Sequence, residues 1–262
     1  MTTGLLLPPP ARNAAKALGA VGSFAGLCME TFAAMVRPPF AWREWLAQSW
    51  FVARVSLLPT LLLSIPFTVL GIFTFNIVLV EFGAGDFAGA GAAYGVVTQI
   101  GPIVTVLVIA GAGATAMCAD LGARTIREEL DAMRVMGINP IKSLVVPRVL
   151  AATAVSVMLS SLVMLVGISG GFFFSVFVQH VTPGAFAAGI TAITSMTDVV
   201  IAWIKSMLFG LAAGLIACHM GTSVGGGPAG VGNAVNETVV YSFVALFAIN
   251  IVATAVGVQV TL

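Results

Sequence analysis

Charge is what this sequence has least of. Only 8% of its 262 residues are Asp, Glu, Lys or Arg, against about 25% in an ordinary soluble domain. A water-soluble globule of this size needs more charge to cover its surface, so that class is excluded. Disorder is excluded too, because 59% of the residues are hydrophobic. A net charge of +1 gives no bulk attraction to nucleic acid. Cysteine is scarce as well: Cys28, Cys118 and Cys218 form no CxxC pair and have no histidine at metal-ligand spacing. Three thiols cannot all pair within one chain, so neither a disulfide framework nor a zinc site is expected. No GxxxxGK[ST] motif is present, hence no phosphate-cradling lysine loop. The Gly-rich run GGGPAGVG at 225–232 lacks Lys and reads as a tight turn.

What remains is a bilayer composition. Residues 55–80 carry no charge, and a helix of that length reaches about 39 Å, enough to cross a hydrocarbon core of about 30 Å with tilt. Further uncharged or nearly uncharged stretches at 87–119, 149–178, 198–220 and 238–262 bring the expected spans to five. The first two are separated by a short loop between Glu81 and Asp86. The fold class is therefore an all-α integral membrane protein, divided into an N-terminal region, 1–54, and a membrane domain, 55–262. The stretch after Arg12 and Lys16 contains Glu30 and several glycines and no convincing small-residue cleavage site. It reads as retained protein, not a signal peptide.

Five crossings put the two ends on opposite sides, so the cations decide orientation. With the N-terminus inside, Arg12, Lys16, Arg37, Arg43, Arg54, Arg124, Arg127, Arg134, Lys142 and Arg148 all face the cytoplasm, ten of the eleven Lys and Arg. The expected topology is N-terminus cytoplasmic and C-terminus extracytoplasmic. Before the first span, Lys16, Gly19, Ser23, Gly26, Glu30 and Arg37 trace a polar or small stripe, opposite Leu18, Val21, Cys28, Phe32 and Met35. That pattern predicts a helix lying along the membrane surface, interrupted by Pro38 and Pro39. Trp42, Trp45 and Trp50 then mark an interfacial anchor. A soluble docking domain is the alternative for this region.

The one strongly charged block runs from Asp120 to Arg148. Thr125 and Glu128 have capping-box spacing, Ile126, Leu130 and Met133 share a face, and Gly137 followed by Pro140 is a stop. A cytosolic helix over 125–137 is expected, with Arg127, Glu128, Asp131 and Arg134 on its other face. It reads either as a solvated loop helix or as an element docking into a partner's groove.

Within the spans, Lys205 is the only cation. It either lines a lipid headgroup path or snorkels toward Asp198. Asn76, Gln99 and Asn250 either bond neighbouring helices or contact substrate. Asn76, Lys205 and Asn250 are the candidate substrate-path residues. Glu237 behind Asn236 reads as the start of the fifth span. Gly91/Gly95, Gly167/Gly171 and Gly210/Gly214 have the spacing for close helix approach.

The stretch GAGATAMCADLGARTIREELDAMRVMGINPIKSLVVPRVLA resembles the signature of the MlaE/YrbE permease family, and RPPFAWREW and VGNAVNETVV fit it as well. Glu128-Glu129 stands where many members have Glu-Gln, which resembles the actinobacterial YrbE branch of Mce systems. The resemblance implies a transport subunit, not an enzyme, of the bacterial inner membrane. It implies a second YrbE-type permease, a cytosolic ABC ATPase dimer that binds ATP, extracytoplasmic Mce proteins and a lipid cargo. Residues 125–137 would be the coupling helix, with Glu128, Glu129, Leu130, Asp131, Met133, Arg134 and Gly137 toward the ATPase. No cofactor is expected in this chain. The rival readings are an ion-coupled carrier or channel, for which neither an internal repeat nor a buried carboxylate pair is visible, and a membrane enzyme, for which His180 and His219 lie far apart in sequence.

Overall fold

The computed structural model describes residues 9–37, 41–84 and 87–261. Pro38, Pro39 and Asp86, to which the sequence assigned a helix break and a loop charge, lie outside them. The described residues form helices α1 (Pro9–Met35), α2 (Trp42–Glu81), α3 (Ala88–Gly95), α4 (Gly101–Val108), α5 (Thr115–Ile126), α6 (Glu129–Val135), α7 (Val146–Phe177), α8 (Pro183–Ile193), α9 (Met196–Thr222) and α10 (Pro228–Thr261), with no strand among them. Five segments are long and apolar enough to cross a membrane: Trp42–Leu79, Gly89–Ile126, Ile141–Phe177, Met196–Thr222 and Pro228–Gly257. The expected all-α membrane architecture stands.

The spans outrun the uncharged stretches. α2 begins at Trp42 and passes residue 54 unbroken, so the tryptophan anchor is the first turns of the first span. α10 begins at Pro228 after a turn with Gly226 and Gly227 at positive φ, which places Glu237 inside the helix and exposed; Asn236 is not its cap. The second span is a rod of α3, α4 and α5 joined by π-helical segments at Val96–Ile100 and Ile109–Ala114. Between the third and fourth spans stands α8, in a stretch that the charge pattern leaves unmarked. Thr182 caps α8 by accepting from the Ala185 N–H, and the close approach of Gly89 and Gly189 seats it against α3 with Phe186 buried.

α2 shows why this bundle holds together in lipid. Its buried residues recur every fourth position, Gln48, Val52, Ser56, Thr60, Ser64, Thr68, Ile72 and Asn76, while Leu58, Leu62, Leu70 and Phe75 point outward. In water the polarity would be reversed. Here the apolar face meets lipid, and small polar residues allow close packing along an i, i+4 ridge. Thr60 donates back to the Ser56 carbonyl at 2.6 Å, which satisfies it within its own helix. α10 repeats the pattern with Ala234, Thr238, Ser242 and Leu246. α7 and α9 form the centre, with α2 packed against α7 and α10 against α9. At their crossing a Cβ on Gly210 would meet the Ala152 carbonyl, and Ser156 donates to the Ser206 carbonyl at 2.6 Å. Gly167 and Gly171 likewise admit Val96 and Ile72, whereas Gly95 faces open space.

Candidate functional site

The charged block gathers at one end of the bundle. α5 continues past the apolar stretch to Ile126, and Thr125 donates to the carbonyls of Leu121 and Gly221, at 2.9 and 2.8 Å. Thr125 is therefore in the last turn of the second span and no capping box forms. The chain turns at Arg127 and Glu128, and Glu128 adopts a left-handed backbone with φ of 57°. For a residue with a Cβ that conformation costs about 1–3 kcal/mol, stored at the joint. The short helix runs over Glu129–Val135, not 125–137.

Its end matches the expectation. Gly137, φ 77°, donates to the Arg134 carbonyl at 3.0 Å, and Ile138 donates to the Met133 carbonyl at 2.9 Å, the paired bonds of a glycine-terminated helix. Asn139 Oδ1 then accepts from the Ile141 N–H at 2.9 Å, and Pro140 starts the turns that lead into α7. Asn139-Pro140 is thus a cap with proline at the first helical position.

Beneath α6 lies an ion-pair chain. The Arg148 side chain is 0% exposed; one Nη donates to the Leu144 carbonyl at 3.1 Å and the other pairs with the Asp120 carboxylate. Arg124 Nε stands 3.4 Å from the same carboxylate, and its Nη1 lies 4.0 Å from Glu129. Arg127 Nε reaches Glu129 at 3.0 Å. Glu129 on α6 is thereby linked through Arg124 and Asp120 on α5 to Arg148 on α7. Beside this chain, Leu121, Leu130, Leu144, Val145, Val149, Leu215 and Cys218 form an apolar cluster. Phe24, Leu27, Cys28 and Met35 of α1 pack onto it, and Phe24 also meets His219 edge-on at 5.4 Å. The inward stripe of α1 is therefore Phe24, Leu27, Cys28, Thr31 and Met35; Val21 and Phe32, expected on the apolar side, are exposed.

The site residues read from the sequence divide accordingly. Leu130 is 5% exposed and Met133 half-buried, so both anchor α6 to its own subunit; the expectation that Leu130 faces a partner is corrected by that burial. Glu128, Asp131, Arg134 and Gly137 are exposed, and Glu129 is half-buried in its ion pairs. Arg134 holds Asp131 at 2.8 Å in an exposed pair worth little to stability. Sequence reasoning missed Val135, 88% exposed, Met136, 66% exposed, and Ile138, which give this charged face an apolar centre. It also missed Asp120 and Arg148 as partners. An open groove lined by Glu30, Arg134 and residues 137–141 adjoins this face.

Toward the opposite end, Asn76 is buried and donates to Ser175 Oγ at 3.0 Å. It is a packing residue between α2 and α7, which removes the support for a substrate role. Lys205 does not reach out to Asp198, whose carboxylate accepts from the backbone N–H and hydroxyl of Ser195, both at 2.9 Å. Instead Lys205 Nζ donates to Thr254 Oγ1 at 2.9 Å, and that hydroxyl donates to the Asn250 carbonyl at 2.6 Å. Of the three substrate-path candidates, Lys205 lines a cavity, and Asn250 is linked to it only through its backbone carbonyl by way of Thr254. Tyr94, Thr98, Gln99 and Asp198 line that cavity with Lys205.

Among the described residues no group of His, Cys, Asp and Glu could hold a metal ion. Residues 45–256 match the family model described as Permease MlaE. The chain is 32% identical over 181 residues to a probable ABC transporter permease protein of Synechocystis sp., covering 68% of this chain and 69% of that one. It is 32% identical over 149 residues to Protein TRIGALACTOSYLDIACYLGLYCEROL 1, chloroplastic, of Arabidopsis thaliana, covering 57% of this chain and 43% of that one. Its identity to the intermembrane phospholipid transport system permease protein MlaE of Haemophilus influenzae is 28% over 181 residues, 69% of each chain.

Proposed function

The chain belongs to the MlaE permease family, and from that membership we propose that it is the membrane subunit of an ABC-type lipid transporter whose ATP is bound and hydrolysed by a separate cytosolic ATPase dimer docked on α6. The observation that carries the reading is the exposed face of α6 combined with its anchorage. Outward it offers Val135, Met136 and Arg134; inward, Glu129 is tied to the second and third spans through Arg124, Asp120 and Arg148. A partner that shifts α6 moves both spans. The strained joint at Glu128 is where α6 swings relative to α5.

The wider assembly follows from the resemblance of the charged block to actinobacterial YrbE proteins. A second, non-identical YrbE-type permease completes the lipid path, and extracytoplasmic Mce proteins carry cargo beyond the membrane. The outward apolar faces of α2 and α10 suit lipid or such a partner. Vesicles containing the purified complex and a fluorescent phospholipid should move lipid only with ATP and magnesium. Movement driven instead by an ion gradient would replace the permease reading with that of a carrier.

The charge asymmetry supports placing α6 in the cytoplasm. Introducing Val135→Cys into the subunit expressed without its ATPase should give labelling by a membrane-impermeant maleimide in inside-out vesicles and none in intact cells. Background is low: burial pushes the Cys28 thiol above its ordinary value, and Cys118 and Cys218 are buried. Labelling in intact cells would invert the topology.

A further inference from the structure

The cavity around Lys205 is an unassigned site. Lys205 is 4% exposed within a membrane span, and its ammonium, with three N–H groups, has Thr254 Oγ1 as its one hydrogen-bond acceptor among the described residues. None of the ion pairs found among those residues includes it. Asp198 lines the same cavity, but its carboxylate is engaged with Ser195. A cation held in a span without a paired anion is costly, and such residues mark ligand pathways. The wall opposite is the π-helical segment Val96–Ile100, which brings Thr98 and Gln99 to the cavity; π-helical turns are frequent at functional sites. Tyr94 and Gln99 are exposed at the rim, so the cavity communicates with the outer face of the bundle.

Size limits the ligand. The cavity holds about 40 Å³, room for about three water-sized groups. A carboxylate is the smallest anionic head a lipid carries, so it makes the least demand on that space. Asp198 on the same wall repels any anionic head, and one with two negative charges about twice as strongly as a carboxylate. We propose that this cavity takes the carboxylate head of a single-chain lipid, a free fatty acid, with Lys205 as its counter-ion and Thr254 holding the ammonium in place. The tail leaves past the exposed rim at Tyr94 and Gln99 to the apolar outer surface of the bundle. This deepens the lipid-permease reading and rests on it.

The complex, purified in detergent and incubated with equimolar oleate and oleyl alcohol at about pH 7, where a carboxylate is ionised, should retain oleate in preference to the alcohol. The preference should be about tenfold, the worth of one charge-assisted hydrogen bond, read by mass spectrometry of the bound lipid. Lys205→Met, which keeps the stem and removes a buried charge, should bring the ratio near parity, and Lys205→Arg should keep most of it. Parity in the unsubstituted complex, or an unchanged ratio in Lys205→Met, overturns the assignment. Loss of ATP-driven transfer with the oleate preference intact would overturn the permease reading and leave this site standing.

Discussion

Replacing Asp120 with alanine should lower the stability of the protein by about 3–5 kcal/mol, the range for removing one partner of a buried ion pair. The reason is the asymmetry of the pair. Arg148 has no exposure at all, whereas the Asp120 side chain keeps 32% of its surface. Without the carboxylate, the guanidinium remains in the interior with the Leu144 carbonyl as its remaining hydrogen-bond acceptor. Arg124 loses its anchor in the same step. The detergent-solubilised protein should therefore melt several degrees lower. A double variant, Asp120→Leu with Arg148→Met, should recover most of that stability, because an apolar pair of similar volume removes both charges together. It should not recover lipid transfer per ATP hydrolysed, since the ionic link from α6 through α5 to α7 is gone. Wild-type melting of the single variant would show that the pair is not a buried one, and full transfer in the double variant would sink the relay.

None of that pair was legible in the sequence. Asp120 and Arg148 are 28 positions apart, and composition marks both only as charges near a membrane surface. Their meeting depends on how α5 and α7 cross. Lys205 and Thr254, 49 positions apart, are the same case. What was legible is what lipid imposes on each helix separately: five apolar spans, a charged block outside the hydrocarbon, a glycine stop at 137. The errors in boundaries share one cause. Helices pass through the headgroup layer without breaking, so loss of an uncharged stretch does not mark a helix end. Trp42 and Glu237 lie inside helices whose spans the uncharged stretches start only at 55 and 238. The Thr125–Glu128 spacing was a genuine local signal, but Thr125 has acceptors on α5 and α9 that no local pattern reveals.

Val135→Asp combined with Met136→Asp should separate docking from folding. Both side chains lie on the outer surface of α6, so the variant should insert and melt like the parent. Capture of the ATPase should fall about a hundredfold if each side chain contributes about 1–2 kcal/mol at the centre of the contact. ATP-driven lipid movement should disappear with it. Leu130→Asp is the matched comparison on the inner face of the same helix, five residues before Val135. There the carboxylate would enter the cluster of Leu121, Leu144 and Leu215, at a cost of about 4 kcal/mol or more from the lost packing and the unpaired charge. That variant should melt early and lose its ATPase only as a consequence of misfolding. The two substitutions therefore give opposite orders of events: docking fails with the fold intact in one, and the fold fails first in the other. Retained capture by the Val135→Asp, Met136→Asp protein would move the contact away from α6, toward the groove between Glu30 and Pro140.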